Sequence, residues 1–190
     1  MRRILLGLFA AVLLTACNQG APRQGSGSAT AAPNDADVTF IQNMIPHHQQ
    51  GIEMAKLVDA HSKRPQLRTL ADEITVSQGQ EIALMQGWLR DWGKPATPAG
   101  TDHGAMHMPG MMSEAEMRRL MATRNQDFDL AFVDLMSTHH QGAIDMATTE
   151  LRDGSLPEVK RLAQQIIDAQ QTEIDQLKAW QEQWKATPIR

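Results

Sequence analysis

The sequence predicts an all-α protein, built as a four-helix bundle of two repeated antiparallel hairpins. Three observations lead to this fold class. The same motif occurs twice, apolar residues recur at the helical spacing of three and four, and strand signals are weak, with no tyrosine and no period-two alternation. Each hairpin has one apolar face, and packing the two hairpins together buries both faces.

An internal repeat covers most of the predicted bundle. Asp37–Ala55 reads DVTFIQNMIPHHQQGIEMA and Asp129–Ala147 reads DLAFVDLMSTHHQGAIDMA, at an offset of 92 residues. The same offset continues without a gap to Trp92 and Trp184. A repeat at a fixed spacing sets the architecture, so we expect function where the two copies meet.

The N-terminus has the features of a bacterial lipoprotein signal. Arg2 and Arg3 precede an apolar run that is too short to span a bilayer, and small residues lead to Cys17, the chain's only cysteine. We expect residues 1–16 to be a signal peptide and Cys17 to be lipidated; an ordinary secretory signal is the alternative. Residues 17–35 are rich in Gly, Ser, Ala and Pro, which predicts a flexible tether.

Hairpin 1 is expected at residues 36–92. Its first helix starts near Asp37, a predicted N-cap, and Pro46 is expected to interrupt and kink it. A break at His61–Pro65 precedes the second helix. The apolar face of the first helix contains Phe40, Met44, His47, Gly51, Met54 and Val58, and that of the second contains Leu67, Leu70, Ile74, Gln78, Glu81, Met85, Trp88 and Trp92.

A linker and hairpin 2 complete the predicted domain of residues 36–186. Residues 93–113 are dense first in Gly and Pro and then in His and Met, so they are expected to be non-helical. A short helix from Glu114 to Asn125 leads into hairpin 2, and residues 114–186 hold both. The break at Asp153–Pro157 repeats that of hairpin 1.

Charge and motifs exclude several functional classes. The formal net charge is −4 and no basic cluster occurs, which argues against a nucleic-acid partner. No nucleophile–base pair, phosphate-binding loop or nucleotide motif is present, so no catalytic residue is predicted. The candidate chemistry is metal binding.

Both copies carry metal-ligand residue types on their apolar faces. Imidazole and thioether groups together favour copper over calcium, magnesium or manganese. A lone histidine on such a face is usually a core residue, but a duplicated set on or beside the helical stripe predicts a metal site. Its candidate ligands are Met44, His47, His48, Met54, Met136, His139, His140 and Met146.

Each second helix places one carboxylate within its apolar stripe. Glu81 and Glu173 each follow a glutamine, Gln78 or Gln170, by one turn. An unpaired buried carboxylate is costly, so we expect the facing histidines to be its partners. Two interpretations stay open: a Glu–His hydrogen bond that orients the helices, or a Glu that binds the metal or fixes the histidine tautomer.

Di-iron bundles give a comparison for the identity of the metal. Their sites use Glu-x-x-His pairs, whereas Met44 and Met136 stand three residues before His47 and His139. A soft thioether in place of a hard carboxylate favours Cu(I) or Ag(I). Iron or another transition metal is the alternative.

The linker supplies a second candidate metal site. A Gly- and Pro-interrupted loop is expected to have no core to fill, so its methionines are not explained by packing. His- and Met-rich tracts suit copper capture in an exported protein. Its candidate ligands are His103, Met106, His107, Met108, Met111 and Met112. Glu53 and Asp145 also recur, and the helical wheel places them on a solvated face.

The doubled motif, MIPHHQQGIEMA and MSTHHQGAIDMA with HMPGMMSEAEM between them, resembles the bacterial family known as domain of unknown function 305. The similarity covers roughly residues 36–186. It implies a ferritin-like bundle that is exported or membrane-anchored, and a link to copper binding and tolerance. The motif positions implied by the resemblance are Met44, His47, His48, Met136, His139 and His140.

Three functions are therefore considered. The first is a lipid-anchored extracytoplasmic protein, periplasmic in a Gram-negative cell, that sequesters copper or passes it to a metal-donor or acceptor protein. The second is a ferritin-like dinuclear metalloenzyme, such as a metal oxidase, that uses Glu81, Glu173 and the histidines. The third is a helical protein-interaction module whose histidines are structural. The ligand chemistry favours the first, a binder rather than an enzyme.

Overall fold

A computed structural model describes residues 32–96 and 108–187. These residues form five helices and no strand, which confirms the predicted fold class. The helices are α1 (Asp35–His61), α2 (Pro65–Asp91), α3 (Glu114–Ala122), α4 (Asn125–Asp153) and α5 (Pro157–Ala186). The hairpins α1–α2 and α4–α5 join through α1 and α4. The signal peptide, Cys17, most of the tether, His103, Met106 and His107 lie outside the described residues.

The start of α1 differs from its prediction. Asn34, not Asp37, is the N-cap: its side chain accepts a hydrogen bond from Asp37 N at 2.9 Å, while Asn34 N donates to Asp37 Oδ2 at 2.7 Å. This reciprocal pair is a capping box. Pro46 does not interrupt α1, which is continuous and has buried residues on both sides of the proline. Helix α3 ends at Ala122, before the predicted Asn125.

A layer of polar side chains divides the core into two apolar clusters. Along α1, residues 40–45 belong to one cluster and residues 54–58 to the other. The two histidines of α1 fall between them, and the other three long helices follow the same plan. We call the intervening set the polar belt; it consists of His47, His48, Gln78, Glu81, His139, His140, Gln170 and Glu173. None of the described helices combines the length and apolarity needed to cross a membrane.

Reciprocal contacts tie the loop of each hairpin to the start of the other. Asp37 accepts hydrogen bonds from Ser155 N at 3.0 Å, Ser155 Oγ at 2.6 Å and Leu156 N at 3.0 Å. At the equivalent position of the repeat, Asp129 Oδ2 accepts from Arg64 Nε at 2.8 Å. Both aspartates are buried. These contacts fix how the hairpins pack, because each joins two elements distant in sequence.

The end of the linker packs against α1 and α4 of the bundle. Gln50 Nε2 donates to Met112 O at 2.8 Å, and Met112 N donates to Gln50 Oε1 at 2.7 Å. A Cβ on Gly142 would lie 2.0 Å from Pro109 O, so the glycine is needed for the crossing. Gly110 has a φ of 73°, which favours glycine. We call residues 108–113 the crossing segment.

Candidate metal centre

Four histidines meet at the centre of the bundle. His47 and His48 on α1, and His139 and His140 on α4, are all 0% exposed. The rings of His47 and His139 stack with centroids 3.8 Å apart and planes at 29°. Each also has its sequence neighbour's ring within 6.5 Å, centroid to centroid. The structure therefore brings the doubled histidine motifs together, as the repeat predicts.

Backbone carbonyls set the tautomers of the two inner rings. His47 Nε2 lies 3.1 Å from Pro109 O, and His139 Nε2 lies 2.9 Å from His47 O. A carbonyl can only accept, so both Nε2 atoms carry the proton and both Nδ1 atoms keep a lone pair. Burial, followed by the nearby His48, lowers the pKa of His47 to about 3. Burial, followed by His47, also holds the pKa of His139 well below its ordinary value. Both rings are neutral at pH 7, the form in which imidazole binds a metal.

The outer rings have the carboxylate partners that the sequence predicts. His48 Nε2 donates to Glu81 Oε2 at 2.7 Å. His140 Nε2 lies 2.5 Å from Glu173 Oε2 but lacks hydrogen-bond geometry. The carboxylates are less buried than expected, since the side chains of Glu81 and Glu173 are 21% and 18% exposed. A partly solvated carboxylate beside a buried imidazole can fix the ring's orientation and keep its other nitrogen available.

All four Nδ1 atoms are buried and have no hydrogen-bond partner within the protein. Such atoms are rare in folded proteins, because each costs on the order of 1–3 kcal/mol. Within residues 32–96 and 108–187, however, no group of three His, Cys, Asp or Glu side chains is arranged so that it could hold a metal ion. The nitrogens fit a soft or intermediate cation, and thioether or amide groups would have to complete its ligand set.

The four candidate methionines lie beside the polar belt, within the apolar clusters. Met44, Met54 and Met136 are 0% exposed. Met146 is partly buried and lines a cavity of about 230 Å³ with Phe40, among others. Met44 and Met136 stand about one turn from the histidines, whereas Met54 and Met146 stand about two turns away.

The linker methionines that the structure describes are more buried than the sequence suggests. The expectation that this linker has no core to fill is wrong for Met112, which is 7% exposed and packs in an apolar cluster. Met108 and Met111 are partly buried. Met112 also lines a groove of about 440 Å³ with Met117 and Met121 of α3, two residues that the sequence analysis missed. Their spacing of four was the available signal.

Gln50 and Pro109 were not among the residues predicted from the sequence. The signal was a small departure between the copies, Gln50-Gly51 in one and Gly142-Ala143 in the other. Gln50 binds the crossing segment and Gly142 makes room for it, so the departure marks its path. Glu53 and Asp145 are exposed, as expected.

Comparisons with solved structures agree with this architecture. A DUF305 fragment from Deinococcus radiodurans is 33% identical, covers 80% of this chain and 99% of that chain, and has a TM-score of 0.73. A DUF305 protein from Streptomyces coelicolor, described as secreted, is 31% identical, covers 75% of this chain and 89% of that chain, and has a TM-score of 0.70. CopM, solved in a Cu(I)-bound form, is 34% identical, covers 78% of this chain and 96% of that chain, and has a TM-score of 0.67.

A sequence relative extends the comparison beyond bacteria. The uncharacterized protein L153 of Acanthamoeba polyphaga mimivirus is 38% identical over 53 residues. The match covers 28% of this chain and only 35% of the length of that protein.

Two family models match this chain. The model of a prokaryotic membrane lipoprotein lipid attachment site matches residues 1–18, so the protein is lipid-anchored and extracytoplasmic. The model of the domain of unknown function DUF305 matches residues 37–181, which include both histidine pairs and both partner glutamates. The chain belongs to the DUF305 family.

Proposed function

We propose that this protein binds copper at the centre of the bundle and either sequesters the ion or transfers it within the cell envelope. One observation carries the proposal: four buried imidazole nitrogens that have no partner within the protein belong to histidines at the contact between the hairpins. The related protein CopM, solved in Cu(I)-, Cu(II)- and Ag-bound forms, supports it. Residues 1–16 would be the signal peptide, lipidated Cys17 the anchor and residues 17–35 the tether.

The proposed ligands follow from the contacts. His47, His48, His139 and His140 would supply nitrogen, and Met44, Met136, Met54 and Met146 would supply sulfur from the adjoining clusters. Glu81 and Glu173 would orient the outer rings, which is the role that their contacts favour over direct ligation. A donor or acceptor protein would exchange the ion, as the anchored position suggests.

Metal content and oxygen consumption test this function. Protein isolated from its native membrane should contain copper, and it should bind Cu(I) tightly in anaerobic competition with a chromogenic chelator. Supplied with Fe(II) or Cu(I) in air, it should consume no more than one equivalent of oxygen per site, because a binder stops when it is full. Sustained turnover that depends on Glu81 and Glu173 would instead identify a metal oxidase. Absence of copper binding would identify a bundle with structural histidines.

The linker is proposed as an entry point, with His103, Met106, His107, Met108, Met111 and Met112 as weaker ligands. Replacing its four methionines by leucine keeps the bulk and removes the thioethers, so Cu(I) uptake should become slower or weaker while the site in the bundle stays intact. Stopped-flow loading measures the rate. Because Met112 is packed in the core, a leucine there should change stability by less than about 1.5 kcal/mol. Loading as fast as that of the parent would show that the linker is only a connection.

A further inference from the structure

Two glutamines of the polar belt are not explained by packing or by any role assigned above. Gln78 on α2 and Gln170 on α5 occupy equivalent positions of the repeat and are 3% and 4% exposed. Neither amide atom of Gln78 has a hydrogen-bond partner within the protein, and neither does the amide oxygen of Gln170. A buried amide without a partner costs on the order of 1–3 kcal/mol, so a contribution to the stability of the fold does not explain glutamine at these positions.

The amide of Gln78 lies beside the inner histidine His139. A Cβ built on Gly51 would be 2.5 Å from Gln78 Oε1 and 3.0 Å from His139 Cε1. Both atoms border the same space beside Gly51, so the amide oxygen of Gln78 lies near the ring of His139. A side chain at position 51 would require the Gln78 amide, and to a smaller extent the His139 ring, to shift.

We propose that Gln78 and Gln170 donate their amide oxygens to the metal centre, directly or through a bound water, and that they determine its affinity for Cu(II). This inference rests on the proposed function. Oxygen donors stabilise the harder Cu(II) ion, whereas thioethers stabilise Cu(I), and imidazole serves both. In this proposal, the glutamines of α2 and α5 would supply oxygen to the centre, and the buried methionines of α1 and α4 would supply sulfur. The centre would hold Cu(II) with histidine and glutamine, and Cu(I) with histidine and methionine.

The double variant Gln78→Leu/Gln170→Leu tests the inference in the full chain. Leucine removes the oxygen donors and fills a similar volume, so Cu(II) affinity should fall by about 10-fold or more, whereas Cu(I) affinity should stay within about two-fold. Chelator competition measures both affinities, and electron paramagnetic resonance should show a changed Cu(II) spectrum. Glutamate at the same two positions keeps an oxygen donor and should restore Cu(II) binding.

Stability without copper separates a metal-binding role from a structural one. Leucine replaces unpartnered polar atoms, so the metal-free double variant should be at least as stable as the parent in chemical denaturation. The exposed pair Gln80→Leu/Gln176→Leu is the matched control and should leave the Cu(II) spectrum unchanged. If the parent binds Cu(I) and Cu(II), and the Gln78/Gln170 variant has unchanged Cu(II) affinity and an unchanged Cu(II) spectrum, this inference alone is overturned. A parent that binds neither ion would overturn the proposed function as well.

Discussion

The variant with alanine at His47, His48, His139 and His140 is expected to lose at least about 100-fold in copper affinity while its helices remain. Loss of a group that only orients a metal ligand typically costs 10- to 100-fold, so loss of four ligand nitrogens should exceed that range. The helices should persist because both apolar clusters, on either side of the polar belt, keep their contacts. Anaerobic chelator competition and far-ultraviolet circular dichroism provide the two measurements.

His61 offers a matched control for this variant. It is 8% exposed but lies outside the polar belt, where its Nδ1 is 2.9 Å from Thr123 O. Its alanine variant should keep the copper affinity of the parent. Four alanines leave a cavity, so a milder variant with leucine at His47 and His139 guards against unfolding. Unchanged copper stoichiometry in both folded variants would exclude the bundle centre as the site.

The fold was predictable because its determinants are local. The spacing of Phe40, Met44 and His47 gives the buried face of α1, and proline marks the first residue of α2 and of α5. The repeat indicates that both hairpins are alike. Each has one apolar face, and packing the two faces together in a bundle buries both of them. Helix starts were harder, because Asn34 and Asp37 are both good capping residues and only the hydrogen bonds decide between them.

The residue types of the candidate metal centre could be predicted from the sequence, but most of their contacts could not. The pairing of His48 with Glu81 follows from one carboxylate in an apolar stripe, which needs a partner on the facing helix. The contact of His47 with Pro109 O could not be derived, because it depends on where a loop of low periodicity crosses the bundle. The same crossing buries Met112, which sequence alone placed in a loop without a core.

A buried carboxyl pair at the junction of the hairpins predicts an unusual dependence of stability on pH. Glu150 is 1% exposed, and neither of its carboxylate oxygens has a hydrogen-bond donor. Burial raises its pKa to about 8, with the neighbouring Asp37 and then Asp153 adding to the shift and Lys160 opposing it. At neutral pH Glu150 is therefore largely protonated, and its proton can bridge to Asp37, which also holds the loop of hairpin 2.

The sign of the effect follows from where the proton is held. Below pH 4.5, the ordinary value for glutamate, folded and unfolded chains both hold this proton and its stabilisation is complete. Between pH 4.5 and about 8, only the folded chain holds it, so stability falls as pH rises. The pKa of Asp37 is lowered, so its own contribution is lost only in acid. The pKa values of His47 and His139 are lowered, so these two histidines make stability rise with pH below 6.5, the ordinary pKa of histidine. Above pH 6.5 both are largely neutral in the folded and in the unfolded chain.

The range from pH 6.5 to 8 therefore separates the effect of Glu150 from the effects of Asp37, His47 and His139. Over this range, the free energy of unfolding of the metal-free parent should fall by about 2 kcal/mol, since one proton contributes about 1.4 kcal/mol per pH unit. The Glu150→Gln variant keeps the shape, can donate to Asp37 and does not titrate at this position, so its stability should not show this fall. Urea denaturation at pH 6.5, 7.0, 7.5 and 8.0 gives both curves. If the two curves are parallel, the carboxyl pair does not hold a proton at the hairpin junction; if they diverge as expected, stability is lost with rising pH because two carboxylates are then buried side by side.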